Sequence, residues 1–350
     1  MDKKAKGCEN LSDNFESIKL DRRIYLDDIA KELGVSKSTV SRAMSGKGRI
    51  SEATKLRVME CIKEHNYRPN VIAKSLASSK TFNIGVVLPA DKDLSEIPFF
   101  QSCLLGVCEV TSALDYDVVV ITAKSNDISQ LERLIDNRKV DGVILTRSVL
   151  HDPAIEYLKR QNVPFVLIGS NDDNSIVQID TDHTSACAEM TSYLLSSGSK
   201  KPALLIGSTN FVVNNARLAG FRRAHERAGL FVTENLIYRD MTNHAIVERA
   251  VIDLLGKGAD CIVCGDDYIC SRVLTELEVR GISIPKSIKV ASFYNSAFLK
   301  SHTPAITAVD IDVTELGIQA GKTIIDIVSR RKVSDKIFVG YELSIKKSTL

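Results

Sequence analysis

The sequence contains no tryptophan, and Phe and Tyr together make up only 6% of its 350 residues. It also lacks any apolar run long enough to span a bilayer, and its first twenty residues have no secretory apolar core. We therefore expect a cytoplasmic protein with no membrane partner, in which only Phe and Tyr rings are available for stacking on a ligand. Residues 1–20 are polar and aperiodic, which predicts a disordered extension.

Motifs typical of enzymes are missing or incomplete. The sequence has no nucleophile elbow and no GxGxxG dinucleotide loop. The run AGKT at 320–323 is similar to the end of a phosphate-binding loop, but position 316 is Leu316 rather than glycine, and the segment fits an amphipathic helix capped near Thr314. We therefore predict no enzyme activity and no cofactor.

Candidate metal-binding residues also have a simpler interpretation. The chain has eight cysteines, which in the cytosol favour reduced thiols over disulfides. Cys261 and Cys264 form a CxxC pair, but the run CIVC is typical of a buried strand, and no second pair lies at ligand spacing. Asp180, Asp182 and His183 could form a metal or acid–base site, although Asp180 more simply ends a strand while the others cap a helix.

The formal net charge of +2 hides an uneven distribution. Residues 1–80 carry 17 Lys and Arg against 11 Asp and Glu, a net +6, whereas the remainder carries 29 against 33, a net −4. A small basic head on a mildly acidic body indicates that only the head binds a polyanion such as DNA. Ordinary variation in surface charge would give the same balance, so the charge alone does not decide.

Residues 26–49, LDDIAKELGVSKSTVSRAMSGKGR, predict a helix–turn–helix. Gly34 can adopt the left-handed conformation that ends a first helix, and Ser36 can cap a second one. Apolar side chains with the helical period give both helices a buried side. The predicted buried residues are Ile29, Ala30, Leu33, Val40 and Ala43.

The opposite face of the second helix carries hydroxyls and cations without a carboxylate, a composition suited to base edges and phosphates. Its members are Lys37, Ser38, Thr39, Ser41 and Arg42. A third helix is predicted from about Ser51 to Asn66, with Ser51 as its cap. Its predicted inner face consists of Leu56, Met59 and Ile62. Three helices at 21–66 would form a minimal DNA-binding headpiece.

Residues 67–81 predict a short linker helix that is marginal alone and forms only when packed on its twin in a dimer or on DNA. From residue 82 the pattern changes to buried strands alternating with helices, which predicts parallel sheets covered on both faces. The strand runs are 82–88, 117–123, 141–146, 164–169, 203–207, 260–265 and 289–293.

The predicted fold class is therefore α/β, with an all-α headpiece and hinge helix followed by a two-lobed body, residues 82–350. We expect lobe 1 to comprise about 82–180 plus a later crossover segment. Lobe 2 would comprise about 181–308 plus C-terminal segments. Because ligands bind beyond the carboxyl ends of parallel strands, a cleft between the lobes is the expected site.

Specific motifs in order along the chain resemble the lactose/galactose repressor family. They are GVSKSTVSR, NYRPN and AKSLAS in the predicted headpiece and hinge, then VDGVIL, RLAGF and RGISIPKSIKVASF in the body. The resemblance implies a ligand-responsive transcription regulator that is a homodimer and has a periplasmic-binding-protein-like body. Three further segments, IPFFQSCLLGV, NFVVNNARLAGF and VDIDVTELG, are similar to maltose and maltodextrin repressors of this family. They imply an α-glucoside effector.

The resemblance also implies roles in DNA binding, at a near-palindromic double-stranded operator. Lys37, Ser38 and Arg42 would read bases, and the Arg42 fork suits the O6 and N7 atoms of guanine. In the hinge, Asn70 would contact DNA, and Leu76 would enter the minor groove as a wedge or pack only on the partner hinge. The residues expected at phosphates are Ser36, Thr39, Ser41 and Arg49.

For the effector, a sugar by this resemblance, the family analogy puts Arg217 in the cleft, where it would donate hydrogen bonds to hydroxyls; the alternative is an interlobe salt bridge. Phe100 and Phe211 would offer apolar faces to a pyranose ring, unless they are core residues. Asp267 follows a predicted strand and would accept hydroxyl protons.

One departure from the family concerns the end of the strand KVAS and the two residues that follow it. The family usually has Gly, an aromatic residue and a ligand-contacting Asp there, whereas this chain has Ser292, Phe293 and Tyr294. Either Tyr294 or Asn295 compensates, or the effector is not a simple sugar. Two rival interpretations are a sugar-binding transport component and a DNA-binding protein without an effector.

Overall fold

The computed structural model describes residues 24–46, 48–65, 67, 75, 78, 80–90, 98–124 and 126–350. The chain folds as two units, Met1–Lys80 and Thr81–Leu350. The predicted extension at 1–20 lies outside the described residues, as does most of the predicted linker helix at 67–81.

The described part of the first unit contains the three predicted helices. They are α1 (Leu26–Leu33), α2 (Lys37–Ser45) and α3 (Glu52–Glu64). Gly34 ends α1 in the left-handed conformation, with φ 65°. The Ser36 hydroxyl accepts a hydrogen bond from the Thr39 backbone N–H at 3.1 Å, and Ser51 caps α3 in the same way. The caps predicted from the sequence are therefore confirmed.

The predicted inner face of α3 is wrong at Leu56 and Met59, whereas the predicted Ile62 is half-buried against the headpiece core. Leu56 and Met59 are 61% and 48% exposed, whereas Val58 and Cys61 are buried between α1 and α2. Both pairs have helical spacing, so the pattern within α3 does not choose between them. The choice is made by packing against the buried residues of the other two helices, where the predictions for Ile29, Ala30, Val40 and Ala43 are confirmed and Leu33 is half-buried.

The second unit contains twelve described strands in two sheets. The strands are β1 (Asn83–Pro89), β2 (Asp117–Ala123), β3 (Gly142–Leu145), β4 (Phe165–Ile168), β5 (Gln178–Asp180), β6 (Pro202–Leu205), β7 (Ile237–Tyr238), β8 (Cys261–Cys264), β9 (Lys289–Ser292), β10 (Thr307–Ile311), β11 (Lys336–Phe338) and β12 (Tyr341–Ser344). The strand order is β11-β5-β4-β3-β1-β2 in lobe 1 and β12-β10-β9-β8-β6-β7 in lobe 2. All pairings are parallel except β10 with β12. The seven predicted strand runs are confirmed.

Helices cover both sheets, as the unbroken apolar strands require. They are α4 (Pro98–Ala113), α5 (Ser129–Asp136), α6 (Pro153–Arg160), α7 (His183–Ser196), α8 (Val212–Arg227), α9 (His244–Gly256), α10 (Asp267–Val279), α11 (Ala297–Ser301) and α12 (Val313–Val328), with a 3₁₀ turn at Glu234–Leu236. No helix of the described residues is both long and apolar enough to cross a membrane.

The chain passes between the lobes three times, from β5 to α7, from β10 to α12 and from β11 to β12. Helix α12 returns to lobe 1 and crosses α4 closely. A methyl group on Gly106 would lie 2.1 Å from the Thr314 carbonyl oxygen, and one on Gly317 equally close to the Cys103 carbonyl oxygen. Only glycine permits this backbone approach.

The run AGKT lies inside α12, as predicted, so it is not a phosphate-binding loop. The cap of this helix is Asp312, two residues before Thr314, and its side chain accepts a hydrogen bond from the Glu315 backbone N–H. The CIVC run is the buried strand β8, also as predicted. Burial raises the pKa of the Cys261 thiol to about 12, so this sulfur stays protonated.

A backbone clasp joins the two lobes in addition to the three crossovers. Val149, beyond β3 in lobe 1, forms an antiparallel bridge with Phe211, which precedes α8 in lobe 2. The Leu150 N–H donates to the Asn210 carbonyl at 2.9 Å, and the Val212 N–H donates to the Ser148 carbonyl at 3.2 Å. Main-chain hydrogen bonds therefore close one edge of the space between the lobes.

Candidate nucleic-acid interface and effector cleft

The outward face of α2 has the composition expected of a DNA-reading helix. Lys37, Ser38, Ser41 and Arg42 are exposed, and Thr39 is half-buried. They lie opposite the buried Val40 and Ala43, so the face is held outward by the headpiece core.

Two local interactions fix the start of this face. The Ser36 hydroxyl lies 2.8 Å from the hydroxyls of both Ser38 and Thr39. The Lys37 ammonium pairs with the Asp27 carboxylate of α1 at 2.5 Å. This carboxylate orients the lysine, which is otherwise a flexible point charge.

The Arg42 side chain lies along the loop that follows α2. Its Cδ would be 3.3 Å from a methyl group on Gly48, whose φ of 101° favours glycine. The stem of Arg42 thus packs against Gly48, and a larger residue at position 48 would not fit easily. Arg49 is exposed in the same loop. Asn70 and Leu76, the predicted hinge contacts, lie outside the described residues.

In the second unit, a cleft of about 380 Å³ lies at the carboxyl ends of strands from both sheets. This is the edge at which open parallel sheets bind ligands. Five of the six predicted effector residues line the cleft: Phe100, Phe211, Arg217, Asp267 and Tyr294. Asn295 is not among its lining residues and instead donates to Asp310 at 3.2 Å.

Arg217, on α8, is the buried cation of the cleft, with only 7% of its surface exposed. One terminal nitrogen donates to the Asn214 side-chain oxygen at 3.0 Å and lies 4.0 Å from an Asp266 carboxylate oxygen. Its Nε has no hydrogen-bond partner among the described residues. Asp266 follows β8 in the same lobe, so this ion pair is not the interlobe salt bridge considered from the sequence.

Aromatic rings from both lobes form the apolar wall. Phe99 of lobe 1 packs edge-on against Phe100 and against Tyr294 of lobe 2, with ring centroids 5.3 and 5.9 Å apart. The Arg147 guanidinium lies 5.0 Å from the Phe211 ring centroid. Phe99 and Arg147 were not predicted from the sequence. For Phe99, the available signal was its position next to Phe100 in the sequence. For Arg147, it was its position directly after a predicted strand.

Carboxylates also line the cleft. Asp267 is buried, and this burial, followed by the nearby Asp266 carboxylate, raises the pKa of Asp267 to about 6. Asp180 ends β5 and Asp182 caps α7, as predicted, but both also line the cleft. The His183 Nε2 lies 3.3 Å from Asp180 Oδ1. The cleft thus combines hydrogen-bond acceptors, a buried guanidinium and ring faces.

Comparison with family models decides the classification. Residues 81–347 match the periplasmic binding proteins and sugar binding domain of the LacI family, and residues 25–70 match the bacterial regulatory proteins of the lacI family. The chain belongs to the LacI family. It is a DNA-binding transcriptional regulator, not an enzyme.

Three known proteins illustrate the similarity. The HTH-type transcriptional regulator MalR of Streptococcus pneumoniae is 31% identical over 322 residues, which cover 90% of this chain and 95% of MalR. A solved structure from Staphylococcus aureus, described as a probable maltose operon transcriptional repressor, has a TM-score of 0.71 at 26% identity and covers 77% of this chain and 98% of that one. The Lac repressor dimer bound to operator, at 21% identity, has a TM-score of 0.77 over 94% of this chain and 100% of its own, which shows the shared fold.

We expect Asp267→Asn to stabilise this LacI-family regulator. Because the pKa of Asp267 in the folded state is raised above its ordinary value of 3.8, the folded state binds the proton more tightly than the unfolded state does. That advantage is present below about pH 4 and is lost as the pH rises through 6, so ionised Asp267 costs up to about 3 kcal/mol at neutral pH.

Urea unfolding of the wild type and of D267N at pH 7.5 and pH 4.5 tests this expectation, because the neutral Asn removes the cost of the buried charge. The free energy of unfolding of D267N should exceed that of the wild type by about 1–3 kcal/mol at pH 7.5 and by much less at pH 4.5. A gain of equal size at both pH values would mean that the charge of Asp267 is not its source.

Proposed function

We propose that this regulator is a homodimeric repressor of carbohydrate-utilisation genes, released or engaged by a sugar effector, with maltose or a maltodextrin as the favoured class. It would act in the cytoplasm, where bacterial DNA is located. Each headpiece of the dimer would bind half of a near-palindromic operator. Lys37, Ser38 and Arg42 would contact bases, while Ser36, Thr39, Ser41 and Arg49 would contact phosphates.

The observation that carries the effector proposal is the pairing of ring faces with buried hydrogen-bonding groups in one cleft. Phe99 and Phe100 present aromatic surface, while Arg217 and Asp267 provide a donor and an acceptor. Pyranose rings have apolar faces and a rim of hydroxyls, so they match both. The volume of about 380 Å³ is at the lower end of the roughly 300–1,000 Å³ of small-molecule sites, which favours a short sugar.

Tyr294 favours a second candidate, a regulator whose effector is not a simple sugar or that has no effector. The ring is buried against Phe99 at the position where relatives of this family usually have a ligand-contacting Asp. Burial raises the pKa of Tyr294 above its usual range, so the side chain stays neutral there. A neutral phenol cannot replace a charged acceptor fully.

Titration calorimetry and thermal unfolding with maltose, maltotriose, cellobiose and glucose 6-phosphate separate these candidates, because binding to the native state raises the melting temperature. We expect binding of maltose or maltotriose and weaker binding of cellobiose, a matched β-linked control. Binding of the phosphate alone would replace the proposed effector class. If none of the four compounds gives binding heat with protein that still binds DNA, the result would favour the regulator without a sugar effector.

A further inference from the structure

Three side chains of the headpiece join α1 to the end of α3 and take no part in the proposed DNA contacts. They are Glu32, Cys61 and His65. The His65 Nε2 lies 2.8 Å from a Glu32 carboxylate oxygen, and the ligand atoms of all three residues lie within 4.8 Å of one another. The cluster therefore brings a sulfur, a nitrogen and an oxygen atom together.

The backbone holds two of these ligands in place. Cys61 and His65 are four residues apart, which puts them on one face of α3. The His65 N–H donates to the Cys61 carbonyl at 3.1 Å, so His65 is fixed as the last capping residue of the helix. Cys61 is buried, while the side chains of His65 and Glu32 are 32% and 53% exposed. An ion could thus enter from solvent and keep a water molecule as a fourth ligand.

Thiolate, imidazole and carboxylate are the ligands that Zn²⁺ prefers, at about 2.0–2.3 Å from the ion. In a tetrahedral site these lengths put neighbouring ligand atoms about 3–4 Å apart. The cluster would therefore need side-chain shifts of only about 1 Å, which its two partly exposed members permit. On binding, the Cys61 thiol would lose its proton to solvent and its sulfur would bond to the ion.

The surrounding charge favours a cation at this position. The Glu64 carboxylate is a second negative charge near the Cys61 sulfur. Among the residues that the structure describes, Glu32 pairs with His65 and with no Lys or Arg. A bound cation would supply the missing positive charge.

A second cluster in the body shows the contrast. His244, Glu248 and Glu276 also lie within ligand distance of one another. There, however, the Arg280 guanidinium lies 3.3 Å from Glu276 and 3.6 Å from Glu248. An arginine already compensates these carboxylates, and the cluster has no sulfur.

We propose that Glu32, Cys61 and His65 form a binding site for a zinc-type divalent cation that ties the last turn of α3 to α1. The site would stabilise the headpiece at the point where the chain leaves it for residues 67–81.

Titration of Co²⁺ into metal-free full-length protein tests the proposal, because Co²⁺ bound to a thiolate absorbs light that Co²⁺ on nitrogen and oxygen ligands does not. We expect one Co²⁺ per chain with thiolate-to-cobalt absorption that Zn²⁺ displaces. Cys61→Ser should abolish this absorption, and His65→Gln and Glu32→Gln should each weaken binding at least tenfold. Cys108→Ser, a change of a half-buried thiol in the other unit, is the matched control and should leave the titration unchanged.

Since His65 and Glu32 are partly exposed, their variants should keep the metal-free melting temperature of the wild type, and this separates loss of a ligand from loss of the fold. In the full-length protein, Zn²⁺ should raise the melting temperature of the headpiece in the wild type but not in H65Q. Thiolate absorption that persists in C61S, or a Zn²⁺ shift of equal size in H65Q and the wild type, would overturn the site. So would the absence of thiolate absorption in the wild type, which would leave Glu32 and His65 as an ordinary ion pair.

Discussion

Replacing Arg42 with alanine is expected to abolish selective operator binding and to leave effector binding unchanged. Arg42 is exposed on the reading face of α2, and its stem lies along Gly48, so the guanidinium is carried outward on a supported side chain. A bidentate contact to guanine contributes about 1–3 kcal/mol of discrimination, so the loss should be about 10- to 100-fold for each half-site.

The measurement compares affinities for a duplex selected from a random pool by the wild-type protein and for a shuffled duplex, each at two salt concentrations. Arg42→Lys keeps the charge without the fork, so it should lose part of the wild-type preference for the selected duplex. Arg49→Ala is the contrasting variant: as the loss of a phosphate contact, it should weaken both duplexes equally and reduce the salt slope by about one. If R42A discriminated as well as the wild type, Arg42 would not read bases.

Replacing Arg217 is expected to have the largest effect on ligand response. This guanidinium is buried in the cleft, and its Nε has no hydrogen-bond partner among the described residues. A buried donor without a partner carries a desolvation cost that a ligand oxygen would remove. Hydrogen bonds to a charged group contribute about 1.5–3 kcal/mol each, so two lost bonds should weaken effector binding at least 100-fold.

Arg217→Met is the preferred variant, because it keeps the length of the stem and removes only the charged fork. Calorimetry with the sugar that binds the wild type gives the affinity, and DNA binding without effector gives the control. We expect R217M to bind DNA as the wild type does without effector, and to show no change in DNA affinity when the sugar is added. Wild-type affinity for the sugar in R217M would show that the guanidinium serves only the local contacts with Asn214 and Asp266.

Local sequence signals predicted the headpiece well, because its helices are defined by residues within one turn of their ends. Ser36 and Ser51 are caps whose partners lie three residues away, and Gly34 ends α1 by its own backbone conformation. The failure at Leu56 and Met59 has the opposite origin. The choice between two apolar stripes on α3 depends on the neighbouring helices, which the sequence of α3 does not contain.

The same distinction holds in the body. Central strands such as β8 have apolar runs buried on both sides, and these were predicted. The strands that the sequence patterns missed include β5, β7, β11 and β12, which have only two to four residues and are too short to form a recognisable apolar run. The three passages between lobes are non-local, and no pattern in the sequence marks them.

For the cleft, individual lining residues were easier to predict than the neighbours that they contact. Arg217 could be chosen because it lies in a segment similar to the family, and Asp267 because it follows a predicted strand. Phe99 could not be separated from Phe100, since the rotation of α4 decides which ring meets Tyr294. Asp182 was predicted as a cap, and it is one, but the position of α7 also brings it to the cleft.

The clasp between Ser148–Leu150 and Asn210–Val212 has a kinetic consequence. Separating the lobes along that edge breaks two main-chain hydrogen bonds, each worth about 1 kcal/mol after exchange with water. Passage of a molecule through that side would therefore wait for a spontaneous opening rather than for diffusion. In rapid-mixing experiments the observed rate of ligand binding would then level off at high ligand concentration. The plateau would equal the rate at which the clasp opens.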